Sequence, residues 1–391
     1  MTIGGSSIAD ELATIAPWAD RAPRITSAER TARLDKARAL TEAAGADALL
    51  IAAGASLRYF AGIPWGATER LVALLLPVKG QPILICPRFE QGSLEAAVEI
   101  DADPRLWEED ESPYALVADA VAGRLLLDPQ LPYGMASALA ATRLDVADGA
   151  AVIDACRMIK SPAELALLRQ AKAMTLDIQR RAARILHPGI AASAVIRFID
   201  DAHRAIGSSG SYFCAVQFGR ATAFPHGLPG DQLLEEDQLV LIDTGCQVEG
   251  YHSDITRTYA FGNVGDEARA IWDIEHEAQA AAFAAVQPGV PCEAIDAAAR
   301  AVLEKAGLGP DYRLPGLPHR TGHGIGLSIH EPAYLVRGDR TPLARGMCFS
   351  NEPMIVVPDR FGIRLEDHFH VTDTGAAWFT EPQPSIDRPF G

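Results

Sequence analysis

The chain of 391 residues has only five lysines, no block of basic residues and no long apolar run. Acidic residues outnumber basic ones by 51 to 35, which gives a formal net charge of −16. Nucleic-acid-binding proteins normally carry a basic stripe, so we expect no nucleic-acid partner. No apolar stretch reaches the ~18 residues of a membrane span, and residues 1–23 lack the pattern of a signal peptide. We therefore expect a cytoplasmic protein that does not bind a membrane.

Cysteine is sparse as well, and its six residues are scattered with no Cys-x-x-Cys spacing. This usage predicts buried, reduced thiols in a cytosolic protein. The composition, 48% hydrophobic and 22% charged, is that of a globular protein. At roughly 100–200 residues per domain, the length predicts two domains.

The sequence pattern places the domain boundary near residue 158. Residues 1–157 are typical of alternating helices and strands, which predicts an N-terminal α/β domain, and they show no catalytic constellation. Residues 161–164 then have the form of a capping box, with Pro162 at the first helical position. The second domain is therefore expected to span residues 158–391.

This second domain contains an internal repeat. Residues 185–190 end one helix with a Pro-Gly pair, and residues 285–290 do the same one hundred residues later. A further helix follows in both places, ending at Gly207 and Gly307. The repeat predicts two related halves, each with two helices followed by strands. A site between such halves would take residues from both.

In the first half, Asp243 and Asp254 are predicted on two neighbouring strands around a glycine-rich turn. Burying two carboxylates in a hairpin costs free energy unless a cation or a donor meets them. The pair is therefore a candidate for metal binding. In the alternative interpretation, each aspartate caps a turn or pairs with Arg257.

The second half offers one imidazole and two further carboxylates. His323 lies in the glycine-rich residues 318–326, and Glu352 and Glu366 are predicted to be members of another two-strand hairpin. No Lys-Ser/Thr follows the glycines, so a phosphate loop is not expected. Four carboxylates and one histidine suit two divalent cations such as Mn²⁺, Fe²⁺, Co²⁺ or Zn²⁺, and they are too rich in oxygen for a structural zinc site. Two close cations would support metal-assisted hydrolysis.

These motifs together resemble the pita-bread metallopeptidases, which include prolidase, aminopeptidase P and methionine aminopeptidase. The motifs are residues 242–245 (IDTG), 253–258 (SDITRT), 319–323 with 330–331, 351–353 (NEP) and 364–367 (RLED). The resemblance covers the whole chain and is strongest to bacterial Xaa-Pro dipeptidases. It implies an α+β protein, in which a C-terminal pita-bread fold of two pseudo-symmetric halves follows an N-terminal α/β creatinase-like domain.

The resemblance also implies a role for each matching residue. The metal ligands would be Asp243, Asp254, His323, Glu352 and Glu366. They would hold two divalent ions, with Mn²⁺ expected first and Co²⁺, Zn²⁺ or Fe²⁺ as alternatives. Glu352 would also act as the general base.

Four further residues would serve the substrate or the ligands. His226 would stabilise the tetrahedral intermediate, and His330 would contact the substrate around the proline at P1′. His319 and Arg364 would shape the pocket or orient the ligands. The alternatives are a loop role for His226, a backbone-bonding role for His319 near Pro318, and an ion pair of Arg364 with Asp367 or another acid.

Some positions depart from the family pattern. Val248 stands where many prolidases have tyrosine, and Met354 stands where many relatives have glycine. A position near Thr341 would carry an arginine that grips the dipeptide's carboxylate, and Arg340 and Arg345 lie close to it. These departures leave open how the carboxylate is bound and which peptide length is preferred.

The sequence therefore predicts metal-dependent hydrolysis of a small peptide with proline at P1′, by an Xaa-Pro dipeptidase that the resemblance expects to be a homodimer. The alternatives are an Xaa-Pro aminopeptidase acting on longer peptides, a hydrolase of a small non-peptide amide or osmolyte, and a non-catalytic binding protein.

Overall fold

The computed structural model describes residues 3–391 and divides into two compact units. One unit is Arg24–Arg157, and the other combines the residues up to Pro23 with Met158–Gly391. The helices are α1 (Ile8–Ala13), α2 (Ser27–Ala43), α3 (Ala55–Ala61), α4 (Gln91–Ala97), α5 (Pro113–Ala120), α6 (Tyr133–Ala140), α7 (Ala150–Arg157), α8 (Pro162–Arg184), α9 (Ala192–Ala205), α10 (Asp266–Ala284) and α11 (Cys292–Lys305).

The strands are interspersed among the helices in the unit Arg24–Arg157, whereas each later pair of helices is followed by a run of strands. They are β1 (Ala48–Ala52), β2 (Ala73–Pro77), β3 (Ile83–Pro87), β4 (Asp103–Trp107), β5 (Arg124–Leu127), β6 (Asp145–Asp148), β7 (Ser211–Phe218), β8 (Gln238–Val248), β9 (Tyr251–His252), β10 (Ile255–Phe261), β11 (Gly322–Gly324), β12 (Glu331–Leu335), β13 (Cys348–Asn351), β14 (Met354–Val357), β15 (Phe361–Arg364), β16 (Asp367–Val371) and β17 (Ala376–Trp378). No described helix combines the length and the apolar character needed to cross a membrane.

The unit Arg24–Arg157 is built on a six-stranded sheet in the order β4-β3-β2-β1-β5-β6. The β2–β3 pair is an antiparallel hairpin, whereas β1 pairs with β5 in parallel. All five residues of β1 are buried, as is typical of a central strand covered on both faces.

Residues 3–23 differ from the expected boundaries, which placed them in the N-terminal domain. The Gly4 amide donates to the Ala183 carbonyl and the Trp18 amide donates to the Ile206 carbonyl, both at 2.8 Å. The segment therefore belongs by its contacts to the unit that contains α8 and α9.

That larger unit contains a four-stranded sheet, in the order β10-β8-β7 with β9 also paired to β8, and a five-stranded sheet, β12-β11-β13-β16-β17. Strand β8 runs through Gly245 to Val248, so the turn falls at Glu249 and Gly250 rather than at Gly245. Strands β14 and β15 form a separate hairpin. One buried apolar cluster lies mainly among α8, α9 and the first sheet, and a second lies among α10, α11 and the later strands.

The hundred-residue repeat is present in the backbone. Helices α9 and α11 begin and end one hundred residues apart. Gly189 and Gly289 adopt φ values of +83° and +87°, a region that favours glycine. Their amides donate, each at 2.7 Å, to Leu234 and Leu343. The two halves therefore repeat both the helix pair and the way its turn meets the following loop.

Candidate metal centre

The first half supplies its two aspartates from neighbouring strands. Asp243 lies within β8, and Asp254 lies between β9 and β10. A Cβ atom on Gly245 would lie 1.9 Å from the Ser253 carbonyl oxygen, so only glycine permits this close approach. This close contact holds the backbone of Ser253, the residue before Asp254, against the strand that carries Asp243.

A buried glutamine ties these two strands together from behind. The Gln179 side-chain amide, on α8, donates to the Ile255 carbonyl at 2.6 Å and to the Ile242 carbonyl at 3.4 Å. Each of these carbonyls belongs to a residue next to one aspartate. Gln179 therefore helps to set the separation of Asp243 and Asp254.

The second half repeats this arrangement with other ligands. His323 lies in β11, Glu352 follows β13 and Glu366 precedes β16. The Gln279 amide, on α10, donates to the Asn351 carbonyl at 3.3 Å and to the Leu365 carbonyl at 3.1 Å. These carbonyls are again next in sequence to the two carboxylate residues.

The five predicted ligands converge from both halves. His323 Nε2 lies 3.1 Å from Glu352 Oε1 and 3.8 Å from Asp254 Oδ2. Donor atoms of His323, Glu352 and Glu366 all lie within 4.8 Å of one another. Arg364 connects Asp243 to the same cluster, because its guanidinium forms an ion pair with Asp243 Oδ2.

Two carboxylate oxygens in this cluster have no hydrogen-bond partner among the described residues. They are Asp243 Oδ1 and Glu366 Oε1, both buried. Their partner oxygens are satisfied, since Arg364 donates to Asp243 Oδ2 and the Thr256 hydroxyl donates to Glu366 Oε2 at 2.7 Å. Buried oxygens without donors, next to an imidazole, fit divalent cations.

The electrostatics of the cluster agree with that fit. Burial raises the pKa of Asp254 and of Glu366 well above the usual carboxyl range, and neighbouring carboxylates raise it further. Burial also raises the pKa of Asp243, against the opposing charge of Arg364. The pKa of Glu352 falls to about 2, because the hydrogen bond and charge of His323 outweigh burial. Full ionisation of all four carboxyls therefore needs more positive charge than Arg364 supplies.

Arg364 pairs with Asp243 rather than with Asp367. Its Nε donates to the Thr256 hydroxyl at 3.0 Å, which fixes the guanidinium between two ligand-bearing strands. Asp367 instead forms a fully buried ion pair with Arg257, whose Nη2 lies 2.6 Å from Oδ1. The alternative pairing of the aspartates 243 and 254 with Arg257 is therefore absent.

The other predicted substrate residues lie at different depths. His330 is exposed on one side, and its ring stands edge-on to His323 with centroids 4.1 Å apart. Desolvation, with the charges of His323 and Arg320, lowers the pKa of His330 to about 4.

His319 forms a hydrogen bond with the Arg320 carbonyl through Nδ1 at 2.7 Å, and its Nε2 has no hydrogen-bond partner among the described residues. His226 is exposed after a short 3₁₀ turn, and no hydrogen bond to the carboxylates is present in the described chain.

Neither arginine considered for the substrate carboxylate is free. Arg340 lies 3.7 Å from Glu293, and Arg345 lies 3.4 Å from Asp373, both on the surface. Arg320 instead stacks on Tyr334, with its guanidinium carbon 4.5 Å from the ring centre. Its charge acts on both His319 and His330.

Sequence reasoning missed His368 and the two glutamines. His368 is fully buried, and it forms a second group of possible ligands with Asp254 and Glu366, again within 4.8 Å. Its spacing of two from Glu366 next to a predicted strand is a signal that both side chains share a face. Gln179 and Gln279 were detectable as a continuation of the hundred-residue repeat.

Comparison with known proteins decides the family. Residues 166–373 match Metallopeptidase family M24, and residues 33–159 match the Creatinase/Prolidase N-terminal domain. This chain belongs to Metallopeptidase family M24. The predicted α+β architecture of this M24 metallopeptidase, with a pita-bread fold after a creatinase-like domain, is thereby confirmed. Membership also implies divalent metal ions and a peptide substrate.

Several relatives of this M24 metallopeptidase cover nearly its whole length. "Probable dipeptidase PepE" of Mycobacterium tuberculosis is 38% identical, over 88% of this chain and 92% of its own. The crystal structure of dipeptidase PepE from Mycobacterium ulcerans matches with a TM-score of 0.83 and 36% identity, over 92% and 97% of the two chains. A prolidase from Thermococcus sibiricus matches with a TM-score of 0.82 and 30% identity, over 90% and 97%.

Proposed function

We propose that this M24 metallopeptidase is a dipeptidase that uses two divalent ions, Mn²⁺ in the first instance, to hydrolyse Xaa-Pro bonds. The observation that carries this proposal is the convergence of four carboxylates and one imidazole, in which two buried carboxylate oxygens have no donor among the described residues. Four carboxylates and one histidine suit two divalent cations. Relatives named dipeptidase and prolidase support the same activity.

Five residues would hold the ions. They are Asp243, Asp254, His323, Glu352 and Glu366. When bound, two such ions polarise the scissile carbonyl and lower the pKa of water, which is the chemistry of metal-assisted hydrolysis.

Glu352 is the proposed general base and then the general acid. It is a carboxylate within the cluster, 3.1 Å from His323 Nε2, so it lies where it can accept a proton from the attacking water. The nitrogen of an Xaa-Pro amide carries no hydrogen, and it needs a proton to leave as an amine. Glu352 would deliver that proton.

The surrounding side chains would bind and orient the substrate. His330 is neutral near pH 7, because its pKa is about 4, and one ring nitrogen can therefore donate while the other accepts. We assign it to contacts around the P1′ proline, and His226 to the negative charge that develops on the carbonyl oxygen. His319 and Arg364 would orient Glu352 and Asp243.

Arg320 is the proposed contact for the free carboxylate of a dipeptide. It lies beside His319 and His330, is stacked on Tyr334 and has no ion pair among the described residues. Arg320→Ala should raise KM for Ala-Pro at least about tenfold, as expected when a charged hydrogen bond is lost, with little change in kcat. Arg340→Ala and Arg345→Ala are the matched controls. An equal rise of KM in either control would contradict this assignment.

The activity itself is tested with metal-stripped protein on Ala-Pro, with and without added Mn²⁺, and with Ala-Ala as the control. Cleavage of Ala-Pro alone, and only with metal, is the expected result. Cleavage of Ala-Pro-Ala in preference to Ala-Pro would indicate an aminopeptidase. No hydrolysis of either peptide would exclude the proposal and direct the search to small non-peptide amides.

We also propose, from the family resemblance, that the enzyme is a cytoplasmic homodimer. Sedimentation equilibrium should give twice the mass of the chain. A single species with the mass of one chain would exclude the dimer.

A further inference from the structure

One buried histidine beside the metal cluster is unlike the other buried histidines of the protein. His368 lies in β16 with no solvent exposure, and neither of its ring nitrogens has a hydrogen-bond partner among residues 3–391. Buried polar atoms are normally paired, so an imidazole without any partner calls for an explanation.

His203 shows how a structural histidine is accommodated in this chain. It is equally buried, but its Nε2 lies 3.1 Å from the Thr175 hydroxyl and its Nδ1 lies 2.9 Å from the Ser211 hydroxyl. Both nitrogens are therefore satisfied. His368 has no such pair of donors and acceptors, and it resembles a ligand more than a core residue.

A carboxylate oxygen of the metal cluster that lies close to the His368 ring is also without a hydrogen-bond partner among the described residues. His368 Nε2 lies 3.7 Å from Glu366 Oε1, one of the two orphaned carboxylate oxygens. Two donors that each lie about 2.1 Å from one ion are at most about 4.2 Å apart. The separation of these two atoms therefore suits a shared cation. Asp254, Glu366 and His368 each offer one donor atom, and these three atoms lie within 4.8 Å of one another.

We propose that His368 is an additional metal ligand, which binds through Nε2 the ion that Asp254 and Glu366 hold. The inference rests on the dinuclear site of the proposed function and adds an imidazole to it. One ion would then be held by His323, Glu352 and Glu366, and the other by Asp254, Glu366 and His368, with Asp243 completing the cluster. Each half of the centre would contain one imidazole.

A second imidazole changes the metal preference of the site. Imidazole nitrogen suits Zn²⁺, Co²⁺ and Fe²⁺, whereas a set made of carboxylates suits Mn²⁺ better. Loss of the His368 ring should therefore weaken the binding of Co²⁺ and Zn²⁺ more than the binding of Mn²⁺.

The first test measures metal binding without any peptide. Metal-stripped wild-type protein and His368→Phe are titrated with Co²⁺, and binding is followed by calorimetry and by the visible absorption of the ion. We expect His368→Phe to lose at least about tenfold in affinity at one of two sites. His370→Phe is the matched control, because this histidine lies on the same strand against Phe379 and outside the ligand groups. It should bind both ions as the wild type does.

The second test uses the wild type alone, so it decides the matter even where His368→Phe does not fold. In the Co²⁺-loaded protein, each coordinated imidazole gives one exchangeable N–H proton resonance with a large paramagnetic shift. We expect two such resonances, from His323 and His368. A single resonance in protein that binds two ions and cleaves Ala-Pro would overturn the role of His368 alone. Failure to bind two ions would overturn the dinuclear site as well.

Discussion

The two halves of the C-terminal unit share a backbone repeat but differ in what fills it. Gln179 and Gln279 occupy the same position, and each joins the two carbonyls beside a pair of ligand residues. These two repeated glutamines therefore help to set the spacing of the strands that carry the candidate ligands. The candidate ligands are two aspartates in the first half, against one histidine and two glutamates in the second.

The interiors behind the strands differ as well. His203 in α9 is hydrogen-bonded to Thr175, whereas the equivalent positions in the second half are Leu303 and Glu275. Burial raises the pKa of Glu275 well above its usual range. The comparison teaches that the geometry needed for the site was kept in both halves while the packing that supports it diverged.

The largest expected effect comes from removing the proposed general base, which the second half supplies. Glu352→Gln should lower kcat for Ala-Pro by about 10²–10⁴-fold, since a general base and a ligand oxygen are lost together. Steady-state kinetics with metal analysis of each sample is the measurement. Glu304→Gln, at an exposed position of α11, is the control. Retention of more than a tenth of the activity would contradict the assigned role.

The next effect breaks the support beneath Glu366, an ion pair that joins Arg257 of the first half to Asp367 of the second. Arg257→Met leaves Asp367 charged, buried and unpaired, and should lower the free energy of unfolding by about 3–5 kcal/mol. Urea denaturation measures the loss. Arg269→Met removes a surface pair with Asp387 and should cost less than about 1 kcal/mol. Similar losses in both variants would refute the argument.

A pH-dependent effect is expected at His203 in the first half, because the equivalent position in the second half is Leu303. Desolvation lowers the pKa of His203 to about 4, so the unfolded chain binds the proton more readily than the folded protein. Its contribution to stability is present above pH 6.5 and is lost as the pH falls towards 4, by up to about 3 kcal/mol. His203→Leu, which copies the second half, should flatten that part of the stability profile. The exposed His187→Leu should leave it unchanged, and an unchanged slope in His203→Leu would disprove the prediction.

The smallest effect tests the buried glutamines that the two halves share. Gln179→Leu and Gln279→Leu should each lower the free energy of unfolding by about 1–3 kcal/mol, because two buried carbonyls lose a donor. Thermal or urea unfolding should show losses that agree within about 1 kcal/mol. Gln287→Leu, on the surface, provides the baseline. A large loss of unfolding free energy in only one of the two variants would mean that the two glutamines do not contribute equally to stability.

The repeat and the candidate ligands were accessible from the sequence because both depend on local signals. Pro-Gly turns, capping residues and acids at strand ends are read within a few residues, and their spacing identified the family. The ion pairs were not accessible. Whether Arg257 or Arg364 meets Asp367 depends on which strands cross, and the two arginines look alike in the sequence. His368 was missed for the same reason, since an alternating strand pattern does not say which buried imidazole lacks a partner.

The division of the ligands between the two halves has a consequence for assembly. Asp254 and His323 are separated by most of the second half's helices, so no short segment of the unfolded chain can gather the cluster. The carboxylates stay hydrated until both halves have formed and docked, and the electrostatic cost of collecting them falls on that last step. Cations that bind only the finished domain would offset this cost by mass action, which would couple the folding yield to the metal supply of the cell.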